Sequence, residues 1–353
     1  MRALIVRPGG RAAWRQIPAP GSPGPLGAVV RPIAIATCDM DRPIGLGATP
    51  FALPLCLGHE CVAEVLSVGS EVEGFRPGQR AIVPFQINCG GCLPCRTGRT
   101  GNCTRVPPIS MYGFGLAGGL WGGAIADELA VPFADAMLVA LPDGIDPDAA
   151  ASIADNVSDG YRHVGPHLPR LIEEGRGEEV LIIGAISKRH LFTASVSLYA
   201  GLAARALGAT RIILADARAS VRAEAERLGF EATSAAELGG PPTAALVVDA
   251  SATAPGLRLA VERTAEDGIC SSVGSLHAKV TLPFSSMFVR NVSVHVGRTQ
   301  ARSVIPQVLE HVETGRLRPQ DVTTALASID DAVEAIEAHM RGESTKTVLT
   351  AAD

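Results

Sequence analysis

Aromatic side chains are scarce in this chain of 353 residues, where phenylalanine, tryptophan and tyrosine together make up 4%. Long apolar runs are missing too, because no stretch approaches the ~18 residues that a membrane-spanning helix needs. The net charge of -5 gives no basic surface for nucleic acid. The N-terminal residues lack the apolar segment of a signal peptide, so we expect a cytoplasmic protein without membrane or nucleic-acid partners.

Glycine and proline, by contrast, are abundant, with 38 and 25 residues. The sequence falls into two halves with different secondary-structure patterns. In the first half glycine and proline interrupt short strand-like runs such as 28–35 and 61–68. In the second half, buried strand patterns at 179–184 and 211–216 alternate with helical spacing, as at 197–208. Repeated β-α-β units of this kind imply a parallel, doubly wound sheet.

The two patterns predict an α/β protein whose chain leaves its first domain, forms a second one and then returns to the first. We expect a β-rich domain over residues 1–152 and a doubly wound domain over residues 153–297. Helical patterns and a last strand-like run near the C-terminus predict that residues 298–353 return to the first domain. Each part is long enough to bury a substantial core.

Four cysteines form the most specific motif, with the spacing C-x2-C-x2-C-x7-C, at Cys89, Cys92, Cys95 and Cys103. Soft thiolates at this spacing favour one tetrahedral zinc ion. Disulfides and an iron–sulfur cluster are alternatives, although nothing in the sequence points to an oxidising compartment. A closed site with four thiolates has no position for substrate, so the chemistry should lie elsewhere.

The ordered set of motifs resembles the zinc-dependent medium-chain alcohol dehydrogenases from end to end. It comprises Cys38 near the end of an early strand, the G-H-E motif at 58–60, the four-cysteine lobe and the α/β half. The run ADNVSDGY at 154–161 is most similar to the formaldehyde and sorbitol dehydrogenase side of that family. The resemblance implies a GroES-like β-rich catalytic domain, a Rossmann-type domain, two zinc ions per chain, NAD(H) and a homodimer or homotetramer.

The resemblance also implies a catalytic zinc ion held by Cys38, His59 and Asp155. Three protein ligands would leave a fourth position for water or a substrate oxygen. A helix N-cap is the alternative for Asp155. Glu60 matches a residue that lies behind the metal or replaces a ligand, and Asp41 matches the carboxylate that orients the metal-bound histidine. Each of these two could instead be an ordinary surface carboxylate.

The cofactor residues are implied in the same way. Gly184 ends the first strand of the α/β half and Ser197 stands where the third glycine of G-x-G-x-x-G belongs. Asp216 closes the second strand, where an acidic residue binds the adenosine ribose and favours NAD. Asp159 matches a residue against the nicotinamide, and Lys346 one that contacts the pyrophosphate.

Three departures from the family bear on the reaction. Met40 replaces the hydroxyl residue that passes the alcohol proton onward, and the connection between Gly184 and Ser197 is longer than the compact glycine turn. Asp39 places a negative charge where the pyrophosphate is expected to lie. We predict an NAD(H)-linked oxidoreductase for a small alcohol or aldehyde. The alternatives are a redox-neutral zinc lyase, hydratase or isomerase, and a non-enzymatic relative that keeps the fold for partner binding.

Overall fold

The computed structural model describes residues 1–240, 244–274 and 279–351. Its contacts divide the chain into two compact units. The first unit consists of Met1–Ser158, Gln300–Glu313 and Thr323–Asp353, and the second of Asp159–Thr299 and Thr314–Val322. Among the described residues, no helix combines the length and apolar composition that crossing a membrane requires.

Both units are built from short elements. The strands, in chain order, are β1 (Arg2–Arg7), β2 (Arg11–Gln16), β3 (Ala28–Ala36), β4 (Leu55–Cys56), β5 (Glu60–Val68), β6 (Arg80–Val83), β7 (Leu129–Val131), β8 (Val139–Ala140), β9 (Glu179–Ile183), β10 (Arg211–Ala215), β11 (Glu231–Thr233), β12 (Ala244–Asp249), β13 (Thr264–Ser272), β14 (Ser293–Val296), β15 (Ala325–Ser328) and β16 (Thr347–Thr350). The helices are α1 (Asp41–Gly45), α2 (Leu93–Arg96), α3 (Ala134–Met137), α4 (Pro147–Ala150), α5 (Asn156–Arg162), α6 (Leu168–Glu173), α7 (Ser195–Ala206), α8 (Ala219–Arg227), α9 (Ala254–Arg263), α10 (Phe284–Arg290), α11 (Ala301–Glu313) and α12 (Ala332–Arg341).

The first unit is a β structure in which one antiparallel pair positions the chemistry. Strands β15-β16-β3-β5-β6-β8 form its larger sheet, with β7 also paired to β3, and β2-β1-β4 form a smaller one. The register pairs Ala36 at the end of β3 with Glu60 at the start of β5. It also pairs Ala36 with Val348 of β16. The residues just after β3, just before β5 and just before β16 therefore meet at one corner of the sheet.

The second unit is a parallel sheet with the strand order β11-β10-β9-β12-β13-β14 across its described residues, and every neighbouring pair is parallel. Numbered from β9, this order is 3-2-1-4-5-6, the doubly wound arrangement that binds dinucleotides. The order reverses between β9 and β12, so the crevice for a ligand lies at their carboxyl ends. The predicted fold class is confirmed.

Packing in the second unit requires small residues. Helix α7 is buried along almost its whole length against the sheet. At Gly201 of this helix, an added Cβ would lie 2.6 Å from the ring of Phe230. The strands bury Leu181, Ile183 and Val247 in one continuous apolar cluster. The run of aliphatic residues in each strand is therefore explained by a sheet covered on both faces.

Candidate functional site

The four-cysteine lobe gathers its sulfur atoms in a short loop. The Sγ atoms of Cys89, Cys92, Cys95 and Cys103 all lie within 4.8 Å of one another. Cys92 Sγ is 3.3 Å from Cys95 Sγ and 3.9 Å from Cys103 Sγ, and all the cysteines are free thiols. Four converging sulfurs fit a tetrahedral zinc ion and exclude the disulfide alternative.

Backbone N–H groups in this lobe favour the thiolate form of cysteine, which is the form that binds a cation. Backbone N–H groups, those of Thr104 first and Cys95 second, lower the pKa of the Cys92 thiol to about 5. Burial raises the pKa of Cys95 to about 12. A bound cation would deprotonate such a buried thiol, because the metal ligand is the thiolate. The lobe has the chemistry of a structural zinc site.

A second set of donor atoms lies at the sheet corner that β3, β5 and β16 form. Cys38 follows β3 by two residues, and His59 immediately precedes β5. Asp155 Oδ2 lies 3.4 Å from Cys38 Sγ and 3.4 Å from His59 Nε2. With Glu60, these residues offer donor atoms within 4.8 Å of one another, and all are buried. The structure therefore brings together the three residues expected to hold the catalytic zinc.

The turn before His59 depends on a glycine. Gly58 has φ +96°, and a Cβ there would lie 2.8 Å from the backbone nitrogen of Ile125. Only glycine adopts this conformation at no steric cost. The imidazole that follows packs against two phenylalanine rings, with centroids 4.8 Å away at Phe114 and 5.8 Å away at Phe85. One side of the metal site is therefore apolar.

Asp155 stands just before α5, the position at which an N-cap was the alternative. Its Oδ2 instead lies among Cys38 Sγ, His59 Nε2 and the side-chain nitrogen of Asn156. This geometry favours the ligand interpretation over the cap.

Unpartnered polar atoms test whether a metal ion fits this second site. Both ring nitrogens of His59 and Glu60 Oε1 are buried without a hydrogen-bond partner among the described residues. Buried polar atoms of this kind are rare and require a partner. Burial, and secondarily the carboxylate of Asp155, raises the pKa of the Cys38 thiol. A thiol, an imidazole and a carboxylate on three sides of one point fit zinc with an open fourth position.

Lys346 contacts residues that lie next to the donor atoms. Lys346 Nζ donates to Glu60 Oε2 and to Asn156 Oδ1, each at 2.8 Å, and also to the carbonyl of Thr37. Its implied contact with a pyrophosphate stays a prediction, whereas this contact at the metal site is observed. Sequence reasoning missed Asn156, and its position directly after Asp155 was the available signal.

The expectation for Asp41 needs a correction. Its Oδ2 accepts a hydrogen bond from the backbone nitrogen of Cys38 at 2.8 Å, and it makes no hydrogen bond to His59. The reason is local: three residues after Cys38, the carboxylate turns back onto the backbone of its own turn. Asp41 therefore supports the cysteine ligand rather than the histidine.

In the second unit, Asp216 lies at the end of β10 as predicted, but it is fully buried. Its Oδ2 accepts from the backbone nitrogen of Ala185 at 2.9 Å and from Arg218 Nη2 at 2.7 Å, and its Oδ1 accepts from Arg218 Nε at 2.9 Å. Gly184 permits this approach, because a Cβ there would lie 2.5 Å from the carboxylate. The positive charge of one arginine therefore offsets the negative charge of this carboxylate.

The remaining cofactor candidates have observed partners of their own. Ser197 is the third residue of α7, and its hydroxyl donates to the carbonyl of Ala194 at 2.7 Å. Asp159 accepts a hydrogen bond from Arg162 Nε at 2.5 Å and another from the Thr299 hydroxyl. Their implied contacts with the nucleotide stay predictions.

The fold and the two donor sets define a class: zinc-dependent dehydrogenases with a GroES-like β domain and a dinucleotide-binding domain. The profile "Alcohol dehydrogenase GroES-like domain" matches residues 24–143. Glutathione-independent formaldehyde dehydrogenase of Pseudomonas aeruginosa is 26% identical over 386 aligned residues, covering 94% of this chain and 92% of that protein.

Solved structures give the same result. Alcohol dehydrogenase TADH from Thermus sp. ATN1 superposes with a TM-score of 0.88 at 29% identity, over 100% of both chains. Acetophenone reductase from Geotrichum candidum, in complex with NAD, has the same fold with a TM-score of 0.78 at 22% identity, over 99% of this chain and 96% of that one. The chain contains an alcohol dehydrogenase GroES-like domain and is similar over its whole length to zinc-containing medium-chain alcohol dehydrogenases. The resemblance inferred from the motifs is confirmed.

Proposed function

We propose that this protein is a zinc-dependent oxidoreductase that transfers a hydride between a small alcohol or aldehyde and NAD(H). The observation that carries the proposal is the buried set Cys38, His59 and Asp155, in which neither histidine nitrogen has a hydrogen-bond partner among the described residues. Three donors leave one position open, which a closed structural site would not provide. The dehydrogenases among the relatives favour this reaction over the redox-neutral alternative.

When bound, zinc supplies a Lewis acid for the substrate oxygen and the nicotinamide supplies the hydride acceptor or donor. The protein itself positions the reactants and excludes water from part of the site. Phe114 and Phe85 pack against His59, and Phe51 lies edge-on to Phe114 with a centroid distance of 4.8 Å. This apolar wall excludes water from one side of the site and suits a substrate with a small apolar part.

Proton transfer differs from the usual relay. The Met40 side chain carries no proton, but its backbone N–H donates to Cys38 Sγ at 3.4 Å. Met40 therefore stabilises the thiolate ligand instead of moving a proton. Because a proton relay through the Met40 side chain is absent, we expect that no single side-chain replacement at position 40 abolishes the reaction.

A homodimer formed through the edge of the second unit is part of the proposal. Strand β14 has β13 as its neighbour on one side within the described sheet. Near it, Phe288 is 78% exposed, Val289 77% and Val296 63%. An open strand edge beside exposed apolar side chains suits pairing with a second copy. Light scattering should give a dimer or a tetramer, and Val296→Lys should shift the protein towards monomer; a monomeric wild type at micromolar concentration contradicts this.

The function is tested with a panel of short alcohols and aldehydes, including formaldehyde, in the presence of NAD(H) or NADP(H). Wild type should turn over at least one substrate, whereas His59→Ala should lose activity but keep NADH binding, followed by nucleotide fluorescence. Cys61→Ser, a buried cysteine outside both donor sets, is the matched control. Absence of turnover across the panel, with no NADH binding at millimolar concentration, would reject the dehydrogenase proposal.

A further inference from the structure

We propose that Asn156 is a positioning residue of the metal site: its amide donates to two zinc ligands at once and adjusts how much charge the thiolate passes to the metal. The inference rests on the proposed function only in treating Cys38 and Asp155 as ligands. It assigns a role to a residue that the motifs did not mark.

The hydrogen bonds come from one buried amide. Asn156 is 2% exposed. Its Nδ2 lies 3.2 Å from Cys38 Sγ and 3.1 Å from Asp155 Oδ2. A primary amide has two N–H donors, and these two acceptors use both. Asn156 therefore connects two ligand atoms that lie 117 residues apart in the chain.

Lys346 determines which way the amide faces. Its ammonium group lies 2.8 Å from Asn156 Oδ1. An ammonium group has no acceptor capacity, so only the amide oxygen can face it. The oxygen and nitrogen of an amide have nearly the same shape, so the neighbouring cation determines which of the two atoms faces it. The NH₂ group must then face Cys38 and Asp155.

The same ammonium group holds two residues that each follow a ligand directly. Glu60 follows His59, Asn156 follows Asp155, and Lys346 contacts both side chains at 2.8 Å. A lateral shift of either side chain would also displace the ligand beside it. Lys346 thus couples the orientation of His59 to that of Asp155 through their chain neighbours.

The hydrogen bond to sulfur has an electronic consequence. The thiolate receives an N–H from Asn156 and a second, longer one from the backbone of Met40. Each donor stabilises negative charge on sulfur, so less charge passes to the metal and its Lewis acidity rises. A purely structural role at the start of α5 predicts a loss of stability without this effect.

Cobalt(II) substitution of the full chain reports on the sulfur directly. The thiolate-to-cobalt absorption band should move to longer wavelength in Asn156→Leu and Asn156→Asp, because loss of the N–H donor raises the energy of the sulfur electrons. Cobalt affinity at this site should fall about 10- to 100-fold. Asn156→Asp keeps an oxygen for Lys346, so it serves if the leucine variant fails to fold. The spectrum of Cys38→Ser is subtracted to remove the contribution of the four-cysteine lobe.

Ser158→Ala is the matched control, since Ser158 is buried on the same helix and its hydroxyl donates to the carbonyl of Ile153 at 2.6 Å. It should lower stability and leave band position and cobalt affinity unchanged. An unshifted band and unchanged affinity in both Asn156 variants would overturn the inference. A spectrum of Cys38→Ser that equals that of wild type, so that the subtraction leaves no band, would instead show that Cys38 is not a ligand, which is a failure of the proposed function and is distinguished by that variant alone.

Discussion

Lys346 and Glu60 form an ion pair that water does not reach. The Lys346 Nζ lies 2.8 Å from Glu60 Oε2, and both side chains are 0% exposed. Burial raises the pKa of the Glu60 carboxyl, and the nearby ammonium group opposes that shift. The two residues are 286 positions apart, and the pairing of β16 with β3 and of β3 with β5 brings them together.

Breaking this pair should be costly. Lys346→Met leaves Glu60 buried without its cation, and the loss of unfolding free energy should be about 3–5 kcal/mol. In Lys346→Met/Glu60→Leu the uncompensated charge is gone, so most of that loss should be recovered. Urea unfolding of the single and double variants measures both values. Equal stability of Lys346→Met and wild type would show that the pair contributes nothing.

Zinc content should separate the third ligand from its neighbour. Wild type should hold two zinc ions per chain, one in each donor set. Asp155→Ala should hold one, because Asp155 Oδ2 lies between Cys38 and His59. Glu60→Gln should still hold two, because one Glu60 oxygen is held by Lys346. Elemental analysis measures the zinc content of each variant. Two zinc ions in Asp155→Ala and one in Glu60→Gln would make Glu60 the third ligand.

Loss of the zinc ion from the four-cysteine lobe should affect stability more than loss of the zinc ion at the site of His59. Cys103→Ser should remove one zinc ion and lower the melting temperature, because the closed site holds its loop together. His59→Ala should remove one zinc ion with a smaller change in melting temperature. Calorimetry with elemental analysis checks both, and equal melting temperatures for the two variants would contradict the structural role of the lobe.

Arg218 should influence the choice between NAD and NADP. Its guanidinium group binds both oxygens of Asp216, which offsets the negative charge that would repel a 2′-phosphate. In Arg218→Ala that charge is unopposed, so the ratio of NADPH to NADH dissociation constants should rise about tenfold, ~1.4 kcal/mol. Arg222→Ala is the control, because Arg222 Nη1 donates to the backbone carbonyl of Asp216 at 2.8 Å. Fluorescence titration that gives an unchanged ratio in Arg218→Ala would reject this.

Acid should destabilise the second unit through a buried histidine. Burial lowers the pKa of His163 well below its usual 6.5, and its Nδ1 lies 2.8 Å from Ser271 Oγ. Below pH 6.5 the unfolded chain binds a proton that the folded chain does not, so stability is full above pH 6.5 and falls as pH drops towards the folded pKa. The slope approaches ~1.4 kcal/mol per pH unit.

His163→Asn should flatten this slope between pH 6.5 and 5, because asparagine does not titrate. Ser271→Ala removes the hydrogen bond but keeps the imidazole, so it should lower stability while preserving the slope. Urea unfolding at several pH values measures all three proteins. A slope in His163→Asn as steep as that of wild type would assign the acid sensitivity to other groups.

Local motifs predicted part of the site well. The four cysteines lie within one short loop, so their spacing alone brings the sulfurs together once the loop turns. The G-H-E motif marked His59, and the run ADNVSDGY at 154–161 led to Asp155. Asp41 shows the limit of the method, because its carboxylate binds the nearby backbone instead of the expected histidine.

The sequence by itself determined the residue types, the lobe and the alternation of strands and helices, since these depend on neighbours along the chain. Only the tertiary structure decided that Lys346 contacts Glu60, that Asn156 contacts both Cys38 and Asp155 and that Asp216 is paired with Arg218. The physical reason is that side-chain hydrogen bonds act over about 3 Å. For Lys346 and Asn156, strand register and helix position determine which of many distant polar groups come within that distance.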